Sequence, residues 1–377
     1  MSKSAYIGID GTARKVKKIY VGVEDVARKV KKAYIGIGGV ARLFYNGEEG
    51  KLSYYGTATD LSAARGLLAA TTIGNYALFG GGRKSSTSFS SAVDTYDTAL
   101  TLTTATALSG TRNSFAATTI CNYALFGGGL GEASFSTISS VVDAYDTSLT
   151  RTTATELSEA RSDLAATTIG NYALFGGGRT DSLAYSSVVD AYDTSLTRTT
   201  PTELSEARYA LAATTIGNYA LFVGGRASSS SSVVDAYDTL LTRTTPTELS
   251  KARYALAAAT VGNYALFVGG HASSSSSVVD AYDTLLTRTT PTELSKARNY
   301  LAATTIGNYA LFGGGYSTSG FSNVDAYDTS LTRTTPTKLS KARYRAVATT
   351  VGNYAIFGGG QTSTSVYSSV VDVYQFT

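Results

Sequence analysis

The string Asn-Tyr-Ala-(Leu/Ile)-Phe-(Gly/Val)-Gly occurs seven times, with its Asn at positions 75, 122, 171, 218, 263, 308 and 353. The intervals of 47, 49, 47, 45, 45 and 45 residues are those of an array of one supersecondary unit, which cannot bury its apolar faces alone. An Arg stands ten residues before each Asn (Arg65, Arg112, Arg161, Arg208, Arg253, Arg298, Arg343), and a Val-Asp-x-Tyr segment follows the glycines. A chain of 377 residues built this way is constrained to close its units on one another.

Each unit reads as four strands. Ala-Ala-Thr-Thr-Ile at 212–216 is short, small and β-branched, as a crowded innermost strand a requires, and Gly217-Asn218 makes a tight turn. Tyr219-Ala-Leu-Phe-Val is apolar on both alternating faces, the pattern of a strand b covered on two sides. Strand c is Val233-Val-Asp-Ala-Tyr, and strand d lies around Leu241-Thr-Arg-Thr-Thr. The last unit reaches Thr377 after its strand c, whereas residues 52–62 align with the strand-d segment beginning at Ser195. Those residues are expected to supply the missing strand and remove the free edge. The expected fold is all-β: a seven-bladed propeller over residues 51–377, closed by an N-terminal strand.

The Arg before strand a, the double glycine after strand b and the Val-Asp-x-Tyr-Asp of strand c together resemble the Kelch repeat, over residues 52–377. The Trp usual in strand d of that repeat is absent, and Tyr is expected to take up its volume. Copper oxidases on such propellers need His and Tyr ligands and a thioether-forming Cys. This chain has one His, His271, in a loop, and one Cys, Cys121, at the turn position that Gly fills in the other units. The recurring Asp residues (Asp94, Asp143, Asp190, Asp235, Asp280, Asp325, Asp372) are expected to pair with the recurring Arg or with backbone amides, since a catalytic carboxylate pair is local and asymmetric. Gly80-Gly-Gly lacks the helix and Lys-Ser/Thr of a phosphate loop. Neither catalysis, a cofactor nor a metal is expected.

Residues 1–50 form a separate arm with a period of 14: Tyr6-Ile-Gly-Ile, Tyr20-Val-Gly-Val and Tyr34-Ile-Gly-Ile, each followed by Ala-Arg. Alternation around Asp10-Gly11, Glu24-Asp25 and Gly38-Gly39 predicts small β-hairpins, too few to make an independent core. The arm carries ten Lys+Arg against five Asp+Glu, the rest 22 against 23, so the chain's excess of positive charge lies in the arm. Lys15, Lys17, Lys18, Lys29, Lys31 and Lys32 recur at the hairpin period, which favours a solvated or intersubunit strand face over a nucleic-acid contact. Ala-Arg-Lys-Val-Lys-Lys and Tyr-Ile-Gly-Ile-Gly-Gly-Val-Ala-Arg-Leu-Phe resemble short repeats in structural proteins of phages and prophages of Gram-positive bacteria. That resemblance implies a tail-fibre or other virion surface protein, with the arm docking on virion or tail proteins or forming a homotrimer. The chain shows no signal-peptide h-region and no apolar run of membrane-spanning length, consistent with synthesis in the host cytoplasm and release by lysis.

Because the units are nearly identical, their differences carry information. Eight residues after each Asn the chain reads Arg83, Leu130, Arg179, Arg226, His271, Tyr316 and Gln361. The two residues after each repeat Arg read Gly66-Leu67, Asn113-Ser114, Ser162-Asp163, Tyr209-Ala210, Tyr254-Ala255, Asn299-Tyr300 and Tyr344-Arg345. These are the b–c and d–a connections, which share one end of an antiparallel meander. Tyr with Asn, Ser, Gly and Arg is the composition of adaptable binding surfaces. Arg83, Asn113, Ser162, Asp163, Arg179, Tyr209, Arg226, Tyr254, His271, Asn299, Tyr300, Tyr316, Tyr344, Arg345 and Gln361 are therefore the candidate ligand-binding residues, for a host cell-surface glycan or protein. A purely structural decoration protein and an intracellular Kelch adaptor are the other functions compatible with the pattern. Deleting residues 52–62 is expected to destabilise the whole ring, and unchanged thermal unfolding of the deletion would exclude closure by this segment.

Overall fold

The computed structural model describes residues 6–9, 12–15, 20–23, 26–29, 32–37, 40–46, 50–131, 137–180 and 184–377, the strands before residue 50 as backbone only. The chain divides into two compact units, Met1–Lys51 and Leu52–Thr377. In the first, three antiparallel hairpins pair Tyr6–Ile9 with Thr12–Lys15, Tyr20–Val23 with Val26–Lys29, and Lys32–Ile37 with Val40–Asn46. The expected turn residues between those strands, with Lys17, Lys18 and Lys31, lie outside the described residues.

The second unit is a seven-bladed β-propeller of four-stranded antiparallel sheets. In the fourth blade, strands a to d are Ala212–Ile216, Tyr219–Val223, Val234–Tyr237 and Arg243–Thr244, paired in chain order. The seventh blade consists of Val347–Val351, Tyr354–Gly358, Val371–Phe376 and, as its strand d, Leu52–Thr57. The closure expected from the alignment is thus present, and Ala58 and Leu61 extend it by donating amide bonds to Val371 and Ser369. Among the described residues no helix is long and apolar enough to cross a membrane.

Strand d is shorter than its sequence suggested. Leu241 belongs instead to the c–d turn with φ of 62°, because the Asp238 side chain accepts the amides of Leu240 and Thr242 and curls the chain before it can pair. The same Asp and positive-φ Leu recur in blades 1–6. Cys121 adopts φ of 45° where the corresponding Gly residues sit at 52–55°, a conformation costly for a side chain.

Seven apolar clusters, one for each neighbouring pair of blades, form the core. In each, strand-b Leu or Ile and strand-c Val of one blade meet strand-b Phe and strand-c Tyr of the next, as Leu174 and Val189 meet Phe222 and Tyr237. A Cβ on Gly176 would lie 2.7 Å from the Phe222 ring, which explains Gly at this step; Val occupies it only in blades 4 and 5. The strand-c Tyr is fully buried and stands edge-on to Phe in its own blade at 5.7–6.0 Å. Its hydroxyl donates to a carbonyl of the preceding d–a segment, Tyr237 to Thr202 at 2.7 Å. Inside the ring, strand-a Thr hydroxyls donate to the carbonyl of the preceding blade, Thr119 to Thr72 at 2.7 Å and Thr168 to Thr119 at 2.8 Å.

The paired Arg and Asp of the repeat meet within each blade. Arg65–Asp94, Arg208–Asp235, Arg253–Asp280, Arg298–Asp325 and Arg343–Asp372 lie at 2.6–2.7 Å, and Arg112–Asp143 and Arg161–Asp190 make the same contact. All fourteen side chains are at most 2% exposed. Each Arg also donates to the strand-b Phe carbonyl, Arg208 to Phe222 at 3.1 Å, and each Asp accepts the amide of the Ser three residues before the Arg, Ser205 to Asp235 at 3.1 Å. Burial pulls the Arg253 guanidinium below its ordinary pKa and Asp280 pulls it back. The second carboxylate oxygen takes an Arg from strand d in blades 2–6, at 2.8–3.3 Å. In blade 7 a β-bulge between the partners of Val373 and Tyr374 brings Tyr54 to that place, its hydroxyl 2.6 Å from Asp372. In blade 1 Leu102 occupies it, opposite Tyr96 as Arg198 is opposite Tyr192, and Asp94 Oδ1 is left without a partner.

Two outcomes follow from this chemistry. Leu102→Arg is expected to raise unfolding stability by about 1–2 kcal/mol by completing Asp94, with Arg198→Leu lowering it by a similar amount in denaturant titrations. The seven strand-c Tyr residues are held above the ordinary phenol pKa by burial and then by the adjacent Asp, and Tyr54 is pushed up to about 12 by burial and its bond to Asp372. A group whose folded pKa is raised contributes stability that is complete below its unfolded value, about 10, and lost above it. Stability is therefore expected to fall from about pH 10 upward, with the buried phenols ionising together with unfolding in an ultraviolet pH titration.

Candidate functional site

The buried Arg fixes the chain on which the variable residues stand. The residue after each Arg bridges to the residue eight after the Asn in the same blade: Gly66 to Arg83, Ser162 to Arg179, Tyr209 to Arg226, Tyr254 to His271, Asn299 to Tyr316 and Tyr344 to Gln361. In blade 2 the corresponding pair is Asn113 with Leu130. The two sets of positions separated in sequence are thus joined in space, on the end of the meander that carries the b–c and d–a connections.

Contacts then run from blade to blade. The Arg179 guanidinium lies over the Tyr209 ring at 5.1 Å, and Arg226 lies over Tyr254 at 5.2 Å with Nη1 3.4 Å from its hydroxyl. His271 stands beside Tyr254 at 5.3 Å. Further round, Tyr316 meets Tyr344 at 4.8 Å, and Arg345 lies 4.6 Å from the centre of Tyr300 and 5.9 Å from that of Tyr344. Burial raises the pKa of Tyr209 and Tyr344, opposed by Arg226 and Arg345 respectively, so both phenols stay neutral donors over any physiological pH. Blades 3–5 and blades 6–7 therefore each carry a run of rings and guanidinium groups. Arg83 donates from Nε and Nη2 to the Ser85 and Ser86 carbonyls in its own loop.

The second residue after each repeat Arg makes a different structure. Leu67, Ser114, Asp163, Ala210, Ala255, Tyr300 and Arg345 each donate a backbone amide bond to the carbonyl of the same position in the preceding blade, at 2.7–3.2 Å, and Leu67 closes the circle on Arg345. All seven have φ between 52° and 57° and none is Gly. Asp163, Tyr300 and Arg345 thus stand on a ring around the propeller axis, and Arg345 also reaches the outer pair of its own blade, Tyr344 and Gln361. The ring borders a cavity of about 220 Å³.

Of the fifteen candidate residues, Asn113, Ser162, Asn299 and Gln361 are only 2–5% exposed and so stand beneath the surface as supports. Asn299 donates to the Ser275 hydroxyl, and Gln361 accepts from Arg345 Nη1 at 3.2 Å. Tyr185 escaped sequence comparison although it stacks on Tyr209 at 5.1 Å with rings 15° apart. It lies in the b–c loop, whose length varies from blade to blade, and it bridges to Arg179 as Phe89 does to Arg83 in blade 1 and Tyr367 to Gln361 in blade 7. Among the described residues no three His, Cys, Asp or Glu side chains converge as metal ligands. No protein-family model and no curated protein matches the chain.

Proposed function

We propose that this is a non-catalytic binding protein, a Kelch-like propeller displayed on a phage or prophage-derived tail fibre or virion. Its variable face meets a host cell-surface glycan or protein, and residues 1–50 attach it to other virion components or to copies of itself. The observation that carries this reading is the gathering of the residues that differ between near-identical blades onto one face, where Tyr209, Tyr254, Tyr316 and Tyr344 are locked by neighbouring rings and cations. Rings held in this way lose little conformational freedom on binding, and they offer a C–H-stacking face with a hydroxyl at the edge. Individual contacts of this kind with sugars are weak, and several copies on one particle raise avidity by about 10²–10⁴.

The test compares the full chain with a Tyr209→Ala, Tyr254→Ala, Tyr344→Ala variant on a glycan array and on host cells. Binding by the parent and its loss in the variant, with thermal unfolding retained, is the expected result. Equal binding by both, or none by either, overturns a receptor role for this face.

A further inference from the structure

The seven ring positions hold left-handed backbone conformations for which Gly is the default residue, at a cost of roughly 1 kcal/mol for each side chain kept there. Ala210 and Ala255 show that the ring needs nothing larger than a methyl group. Its hydrogen bonds are main-chain throughout. The side chains of Asp163, Tyr300 and Arg345 are therefore surplus to the ring that bears them, and they are the ionisable ones among the seven. They line, together with Ser114, a cavity of about 220 Å³ whose wall is otherwise apolar, from residues such as Phe115, Leu164, Leu211 and Leu256. A site with an apolar wall and a few convergent polar groups is the usual form of a small-ligand pocket, and this volume is below the range of drug-sized ligands.

The available atoms narrow the chemistry. Arg345 donates Nη1 to Gln361 and rests its plane on Tyr300. Its charged guanidinium still has Nη2 to give a carboxylate a charge-assisted hydrogen bond. Asp163, on the third blade, is the acidic group of the ring; burial raises its pKa, and Arg179, Ser114 and Arg345 draw it back down. The ring thus offers one cation and one carboxyl group to a ligand. A ligand bearing both a carboxylate and hydroxyl donors on a ring with an apolar C–H face satisfies the cation, the acid and the apolar wall together.

We infer that the axial cavity binds one acidic monosaccharide unit, its carboxylate on Arg345, its hydroxyls on Asp163 and its C–H face on the apolar wall. This deepens the receptor-binding reading and rests on it, by naming uronic-acid-type sugars as the ligand class.

D-Glucuronate titrated into the full chain by calorimetry or ligand-observed NMR, with D-glucose and glycine in parallel, tests the assignment. Glucuronate is expected to bind, with glucose weaker by about 10- to 100-fold for want of the carboxylate. Arg345→Gln is expected to lose a similar factor, Arg345→Lys part of it, and Asp163→Asn to weaken binding too. The main-chain ring keeps these variants folded, which thermal unfolding verifies. Equal binding of glucose and glucuronate, preference for glycine, or indifference to Arg345→Gln overturns the axial site. If cell binding is lost in the Tyr variant of the preceding section while glucuronate does not bind, the axial site fails and the receptor face stands. If no form binds cells or glucuronate, both fail.

Discussion

In every blade a guanidinium without access to water meets a carboxylate without access to water. Two such charges are expensive to desolvate, and the attraction between them repays that cost only when geometry is good and the remaining lone pairs are met. The blade meets them with parts it already has: the strand-b Phe carbonyl, a Ser amide from the d–a segment, and in most blades a strand-d Arg. The pair is therefore satisfied only when strands b, c and d and the incoming segment are all in register. Pinned at its Arg, the d–a segment delivers its next two residues to fixed places, one in an outer pair and one in the axial ring. The framework is constant at the Arg and free to vary one residue later.

Much of this was legible in the sequence, because repetition makes a chain its own comparison. Seven evenly spaced Asn-Tyr-Ala segments implied seven blades, and the missing strand d after Tyr374 pointed to residues 52–62. The in-register Arg and Asp implied their pairing, and strand alternation put both variable segments at one end of the sheets. What escaped depends on closure or on local detail. The ring of amide bonds has no residue signature, since any residue can donate an amide, and it exists only once blade 7 meets blade 1. Leu241 looked like strand until the Asp238 side chain curled the turn. The β-bulge that exchanges Tyr54 for Tyr55 at Asp372 is invisible to an ungapped alignment, which places Tyr55 opposite the repeat's strand-d Arg. Asn113, Ser162, Asn299 and Gln361 vary like surface residues yet are buried, because variation records what a neighbour requires as well as what a ligand does.

The two faces of the disc thus obey different rules. At the a–b and c–d end, the Asp side chain and positive-φ Leu of the c–d turn repeat with little change in blades 1–6, and a Thr methyl packs on the turn Gly of the preceding blade, Thr239 on Gly170 and Thr284 on Gly217. At the other end the main chain repeats while the side chains do not. Backbone-made regularity on one end allows diversity on the other without altering the sheets, which is how a repetitive fold presents a surface that is not repetitive.

Closure by Leu52–Thr57 also sets a schedule for the chain. Tyr54 and Asp372, which share a hydrogen bond, are 318 positions apart. At ribosomal rates of about 5–20 residues per second, the first strand waits on the order of tens of seconds before its partner is made. During that interval blades 1–6 can build on one another, whereas Leu52–Thr57, with Tyr54 and Tyr55 side by side, remains an unpaired edge open to strands of other chains. The joint that gives the finished ring no loose end is, during synthesis, the last to form and the longest exposed.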